Sequence, residues 1–198
     1  MQKLSGDYTP KFSGFHDLMQ YRVREILLVS SLYDAFVLEE DGRISDRIFG
    51  EYVDLNLRFI PKIIRVSTAA EALDLLEKIN FDLVITMPHL QGMPPLEFGR
   101  RVKAVQPGLP VVMLTYEPVS RDLLLARRKL KTIDKVFYWF GDTKILLAII
   151  KYVEDMKNAP ADTANGVQAI LLVEDSPWYH SYLFRILYME VLGQTRCL

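Results

Sequence analysis

At 198 residues, half of them hydrophobic, the chain has the length of one generous domain or one and a half ordinary ones and ample material for a core. Its 24 Lys and Arg stand against 25 Asp and Glu, so no global field gathers nucleic acid or an anionic membrane, and a protein partner or a second copy has to be recognised locally. One cysteine, Cys197, excludes an intrachain disulfide framework and a Cys-cluster metal site; residues 1–25 lack the apolar block of a signal peptide, and no apolar run is long enough to span a bilayer, so the expected compartment is the cytoplasm.

Along the chain, short apolar strands alternate with longer helical patterns. Residues 1–24 form an N-terminal extension in which the amphipathic stretch Phe15–Val23 is read as an extra helix. Ile26-Leu27-Leu28-Val29 is a buried-strand run, followed by a helical stretch over 32–55 with an interruption near Gly42. Lys62–Val66 is rich in β-branched residues and reads as the second strand, and Ala69–Ile79 has helical spacing. Leu83-Val84-Ile85-Thr86 is the third strand; Gly92, Pro94 and Pro95 then lead into a helix over Leu96–Val105. Val111–Leu114, a helix over Ser120–Leu130, a strand over Val136–Phe140 and a helix over Asp142–Lys157 complete five βα units. Strands without polar alternation, each followed by a helix, predict an α/β fold: a doubly wound, five-stranded parallel sheet with helices on both faces.

The small and polar composition of 158–168 reads as a linker. Beyond it Ile26-Leu27-Leu28-Val29-Ser30-Ser31 returns as Ile170-Leu171-Leu172-Val173-Glu174-Asp175. The expected organisation is therefore an extension over 1–24, a domain over 25–157, a linker over 158–168, and the start of a second copy, a partial βα unit, over 169–198.

At this point the sequence resembles the response-regulator receiver (CheY-like) family. The resemblance is carried by Phe81-Asp82-Leu83-Val84-Ile85, by Gly92-Met93 with Leu96-Glu97-Phe98, by Leu109-Pro110-Val111-Val112-Met113-Leu114-Thr115, and by the receiver-like opening Ile-Leu-Leu-Val-Glu-Asp-Ser of the second copy. It implies the flavodoxin-like receiver fold and a role in two-component phosphorelay signalling. A working receiver takes a phosphoryl group on an aspartate of the third strand. Two carboxylates after the first strand hold Mg²⁺, and a hydroxyl and a lysine on the fourth and fifth strands contact the phosphorylated group.

Carried over residue by residue, the resemblance places Ser30 and Ser31 at the acidic pair, Met87 at the phosphoacceptor, Thr115 at the hydroxyl and Trp139 at the lysine. Two serines bring no charge to a divalent ion and a thioether cannot become an acyl phosphate. The domain is therefore expected to be a degenerate pseudo-receiver with no catalytic residue, no metal and no cofactor. Glu174 and Asp175 keep the acidic pair in the second copy. Asp82 does not substitute for Met87, lying five residues earlier and so roughly 16 Å away along the strand. Asp34 is better placed, and Ser31-Leu32-Tyr33-Asp34 also has the spacing of a helix capping box. His89 is a lone loop histidine with no second ligand at metal spacing.

The helix with Leu123, Leu124 and Leu125 and the last helix, with Ile145 and Ile149, carry more apolar residues than one core-facing stripe requires. Together with Trp139 and Phe140 they mark the expected interface, the face that receivers use for dimers and output domains. The function expected is a non-catalytic signalling module, not an enzyme, acting by protein–protein contact with a partner or as a homodimer. Two alternatives stand: a two-receiver regulator whose second receiver takes the phosphate, and the regulatory front of a larger pyruvate/phosphoenolpyruvate-binding phosphotransfer enzyme.

Overall fold

The computed structural model describes residues 18–39 and 43–194. Five strands, β1 (Glu25–Val29), β2 (Lys62–Val66), β3 (Leu83–Thr86), β4 (Val111–Thr115) and β5 (Lys135–Tyr138), form one parallel sheet in the order β2-β1-β3-β4-β5. Alternate residues of each strand feed two separate cores, because successive side chains point to opposite faces of a pleated sheet. Ile26, Leu28, Leu83, Ile85, Val112, Leu114 and Phe137 face one core; Leu27, Val29, Val84, Val111, Met113 and Val136 face the other. That double burial is why the strands read as unbroken apolar runs. Helices α1 (Leu32–Leu38), α2 (Ile44–Asp54) and α6 (Lys144–Ala164) cover the first face; α3 (Ala69–Leu76), α4 (Pro95–Val105) and α5 (Arg121–Leu130) cover the second.

Three expectations are corrected. The expected helix over Phe15–Val23 lies partly outside the described residues, and its remainder is an irregular segment without helix that leads into β1. Its alternate backbone N–H groups are held by side chains one helical turn apart on α6: Met19 donates to Asp162 (3.0 Å), Tyr21 to Asn158 (2.8 Å) and Val23 to Glu154 (3.1 Å). Two extended residues and four helical ones both advance about 6 Å, so the two periods match. Second, α6 continues to Ala164, through most of the expected linker. Those polar anchors explain its length, since Glu154, Asn158 and Asp162 are all buried against the incoming segment.

Third, of the expected second βα unit only the helix forms. Ile170–Val173 pairs with no strand among the described residues, whereas α7 (Pro177–Gln194) packs on β5 and α6. A single strand has no ladder neighbour of its own here, whereas the helix has an apolar surface to pack on. Phe184 enters the core beside Phe137, Tyr152 and His180, and Ser181 Oγ accepts the N–H of Tyr138 at 3.0 Å. One edge of the sheet, β5, is thereby covered by a helix, a common way of blocking unwanted strand pairing.

Candidate functional site

The C-terminal ends of parallel strands are where α/β folds present chemistry, because the strand-to-helix loops converge there. The sheet brings the five expected positions to that edge. Ser30 follows β1 and its N–H donates to Val66 O (3.1 Å); Met87 follows β3 and donates to Val29 O (3.0 Å); Trp139 follows β5 and donates to Thr115 O (2.7 Å). Met87 and Trp139 turn into the apolar core, at 0% and 8% exposure. The hydroxyl of Thr115 is spent locally, donating to Glu117 O and accepting from Glu117 N, both at 3.0 Å. Ser30 Oγ is buried without a hydrogen-bond partner.

Asp34, on α1 just after β1, is a wholly buried carboxylate at this edge. Its Oδ2 accepts from Ser31 N (3.2 Å) and Ser31 Oγ (2.8 Å), while Asp34 N donates back to Ser31 Oγ (3.1 Å), completing the capping box of α1. Its Oδ1 accepts from the hydroxyl of Tyr116 at 2.8 Å. β1 and β4 flank β3 in the sheet, so the Tyr116–Asp34 bond joins the loops on either side of Met87 and straps that end of the sheet. Burial first, and then the hydrogen bond to Asp34, pushes the Tyr116 hydroxyl above the ordinary tyrosine range. Nearby, Val119 N donates to the hydroxyl of Tyr138 (3.0 Å), which fixes the loop before α5 to β5.

The residues here do not fit a divalent cation. Ser30 and Ser31 offer no charge, and both oxygens of Asp34 are already engaged by protein donors. Among the described residues no group of three or more His, Cys, Asp or Glu could hold a metal ion. Asp82 sits at the opposite end of the sheet, where its Oδ2 accepts from Arg24 N (2.8 Å) and Glu25 N (3.0 Å) and pins the start of β1. His89 is exposed, 3.7 Å from Glu117. Glu174 and Asp175 lie in the irregular segment before α7, Glu174 accepting from Ser176 N at 2.9 Å.

The expected interface is redistributed. Ile145 and Ile149 are fully buried in the core between α6 and the sheet, and so they line no surface. Leu123 and Leu124 pack on the second core and Leu125 stands exposed. Phe140 is met edge-on by Trp178 and Tyr182 of α7, at ring-centre distances of 5.6 and 6.1 Å. The excess apolar character of the last helix thus answers to a helix of the same chain. Sequence reasoning missed Tyr116, whose signal was its place directly after Thr115, and the exposed Leu32, Tyr33 and Phe36 of α1.

No protein-family model and no curated protein matches the chain. Solved structures do, and the class they define is the doubly wound α/β domain with the flavodoxin-like strand order seen here. Among them is a CheY-like response regulator receiver domain protein from Methanospirillum hungatei JF-1, 19% identical, with a TM-score of 0.55 over 70% of this chain and 98% of its own. A receiver domain protein from Clostridium thermocellum is 16% identical, TM-score 0.52, over 70% of this chain and 99% of its own. The signal receiver domain of an HD domain-containing protein from Pseudomonas fluorescens Pf-5 is 21% identical, TM-score 0.50, over 72% and 94%. The chain has the fold of the response-regulator receiver domains. No helix among the described residues is long and apolar enough to cross a membrane.

Proposed function

We propose that this is a degenerate receiver: a non-catalytic signalling module of a phosphorelay-type protein, not an enzyme, that acts in the cytoplasm by contact with a protein partner and takes no phosphoryl group at the usual place. The observation that carries the reading is the content of the strand-end site. A buried thioether stands at the acceptor position, and the buried carboxylate of this edge, Asp34, has each oxygen held by a protein donor. Phosphoryl transfer to a receiver depends on a metal neutralising charge on the phosphate oxygens, and among the described residues no group of three or more acidic, His or Cys side chains could hold one. Covering of the β5 and α6 face by α7 supports a role in which state is set by protein contacts. Glu174 and Asp175 belong, on this reading, to the opening of a second receiver-like unit. Incubation of the chain with Mg²⁺ and acetyl phosphate, followed by intact-mass measurement, is expected to show no added phosphoryl group. A stable adduct mapped to residues 25–157 overturns the proposal.

A further inference from the structure

The contacts that dock α7 are specific. Phe184 is 6% exposed among aromatic rings, Ser181 caps the edge strand, Arg185 pairs with Asp142, and the Tyr188 hydroxyl donates to Asp155. The chain that connects α7 to α6 is the opposite. Residues 165–176 contain neither helix nor strand, and within them Ile170, Leu171 and Val173 are 71%, 86% and 81% exposed. The same four residues, Ile-Leu-Leu-Val, are at most 2% exposed in β1, where strands lie on both sides. One tetrapeptide thus has two fates in one molecule: in the second copy Leu172 alone packs partly on the core, and the other three side chains have the β-branched and aliphatic composition of a strand without a neighbour.

We propose that two copies of the chain exchange α7. Each α7 docks on the β5 and α6 face of the other protomer through the contacts it makes here, and the two Ile170–Val173 segments pair antiparallel across the two-fold axis. The occupant is a second copy because the docking interface is reproduced unchanged, so the exchange sacrifices none of the contacts of Phe184, Ser181, Arg185 or Tyr188. The new element is the hinge pair. Antiparallel alignment sets Ile170 opposite Val173 and Leu171 opposite Leu172 of the other chain, so only apolar side chains meet. Extended, residues 165–176 reach up to about 40 Å, enough to place α7 on a neighbouring molecule.

Light scattering on the full chain across a wide concentration range, before and after heating and cooling, tests the proposal. A dimer growing with concentration is expected, and Leu171→Asp, which sets a charge into the hinge pair, is expected to weaken it at least about tenfold. A second arm uses Asp142→Arg and Arg185→Asp, each of which places like charges across the docking contact within its own chain. Mixed, the two variants regain opposite charges only if α7 is exchanged, so heterodimers in excess over either homodimer are expected by native mass spectrometry. A chain that stays monomeric throughout, a dimer indifferent to Leu171→Asp, or a mixture without preferred heterodimers overturns the exchange.

Discussion

Replacing Tyr116 by Phe deletes one hydroxyl and leaves the ring. Its cost follows from what it strands: Asp34 Oδ1 has no solvent in reach at 0% exposure, and Tyr116 is the donor it has at 2.8 Å. A hydrogen bond to a charged group is worth about 1.5–3 kcal/mol, and a buried acceptor left bare costs desolvation on that scale. At about 2–4 °C per kcal/mol for a domain of this size, the melting temperature should fall by about 3–12 °C. Urea denaturation gives the free energy, and hydrogen exchange at 31–34 and 116–119 shows whether the two loops loosen together. A double-mutant cycle with Asp34→Ala isolates the strap from the loss of the helix cap. Alkaline pH adds a second reading. The folded state holds the Tyr116 proton more tightly than the unfolded chain, so the stability it contributes is complete below about pH 10 and is lost as pH rises through the raised folded value. Tyr116→Phe should therefore fall less steeply there. The reasoning fails if Tyr116→Phe lies within about 0.5 kcal/mol of the parent, or if the cycle is additive.

Acid should loosen α7. His180 is buried between Phe137 and Phe184, and burial first, with Lys135 adding to it, pushes its pKa down to about 4. A lowered folded value means the contribution is complete above about pH 6.5 and is lost as pH falls toward about 4, so exchange protection of α7 should decline over that window and stay flat in His180→Phe; a decline of equal size in both proteins would remove His180 from the account. Gly99 tests the packing of α4, since an added Cβ would lie 2.4 Å from the carbonyl oxygen of Thr132, a backbone atom. Gly99→Ala should destabilise by about 1–3 kcal/mol despite alanine's better helix propensity, and an equal or higher urea midpoint would contradict it.

The sheet was readable because both faces of its three central strands, β1, β3 and β4, are buried. Lys62–Val66 and Leu83–Thr86 emerge with the bounds expected from their composition, and the order of the βα units then leaves few topologies. The places of Ser30, Met87, Thr115 and Trp139 at the strand ends followed from the strand bounds alone. What Asp34 does did not follow. Its capping box is a local pattern of four residues, whereas its bond to Tyr116 joins positions 82 apart in the chain and depends on β1 and β4 flanking β3. The fate of Ile170–Val173 was misread for a related reason: a strand is made by its neighbours, and the same tetrapeptide that forms β1 stays unpaired when none is supplied. Likewise the small and polar run at 158–164 reads as a linker until the acceptors Asn158 and Asp162 find the N–H groups of Tyr21 and Met19.

Those last two bonds fix where the chain enters the five-stranded unit and where it leaves α6. Met19 and Asp162 touch, so the chain enters the five-stranded unit and leaves α6 at one point, before α7 returns to the core through Phe184. A domain with adjoining ends can be spliced into a host loop, or have its ends joined and be reopened elsewhere, without stretching its interior. For this chain it means that whatever is tethered ahead of residue 18 shares a mooring with the segment that carries α7, and a pull on either is delivered to the same three side chains of α6, Glu154, Asn158 and Asp162.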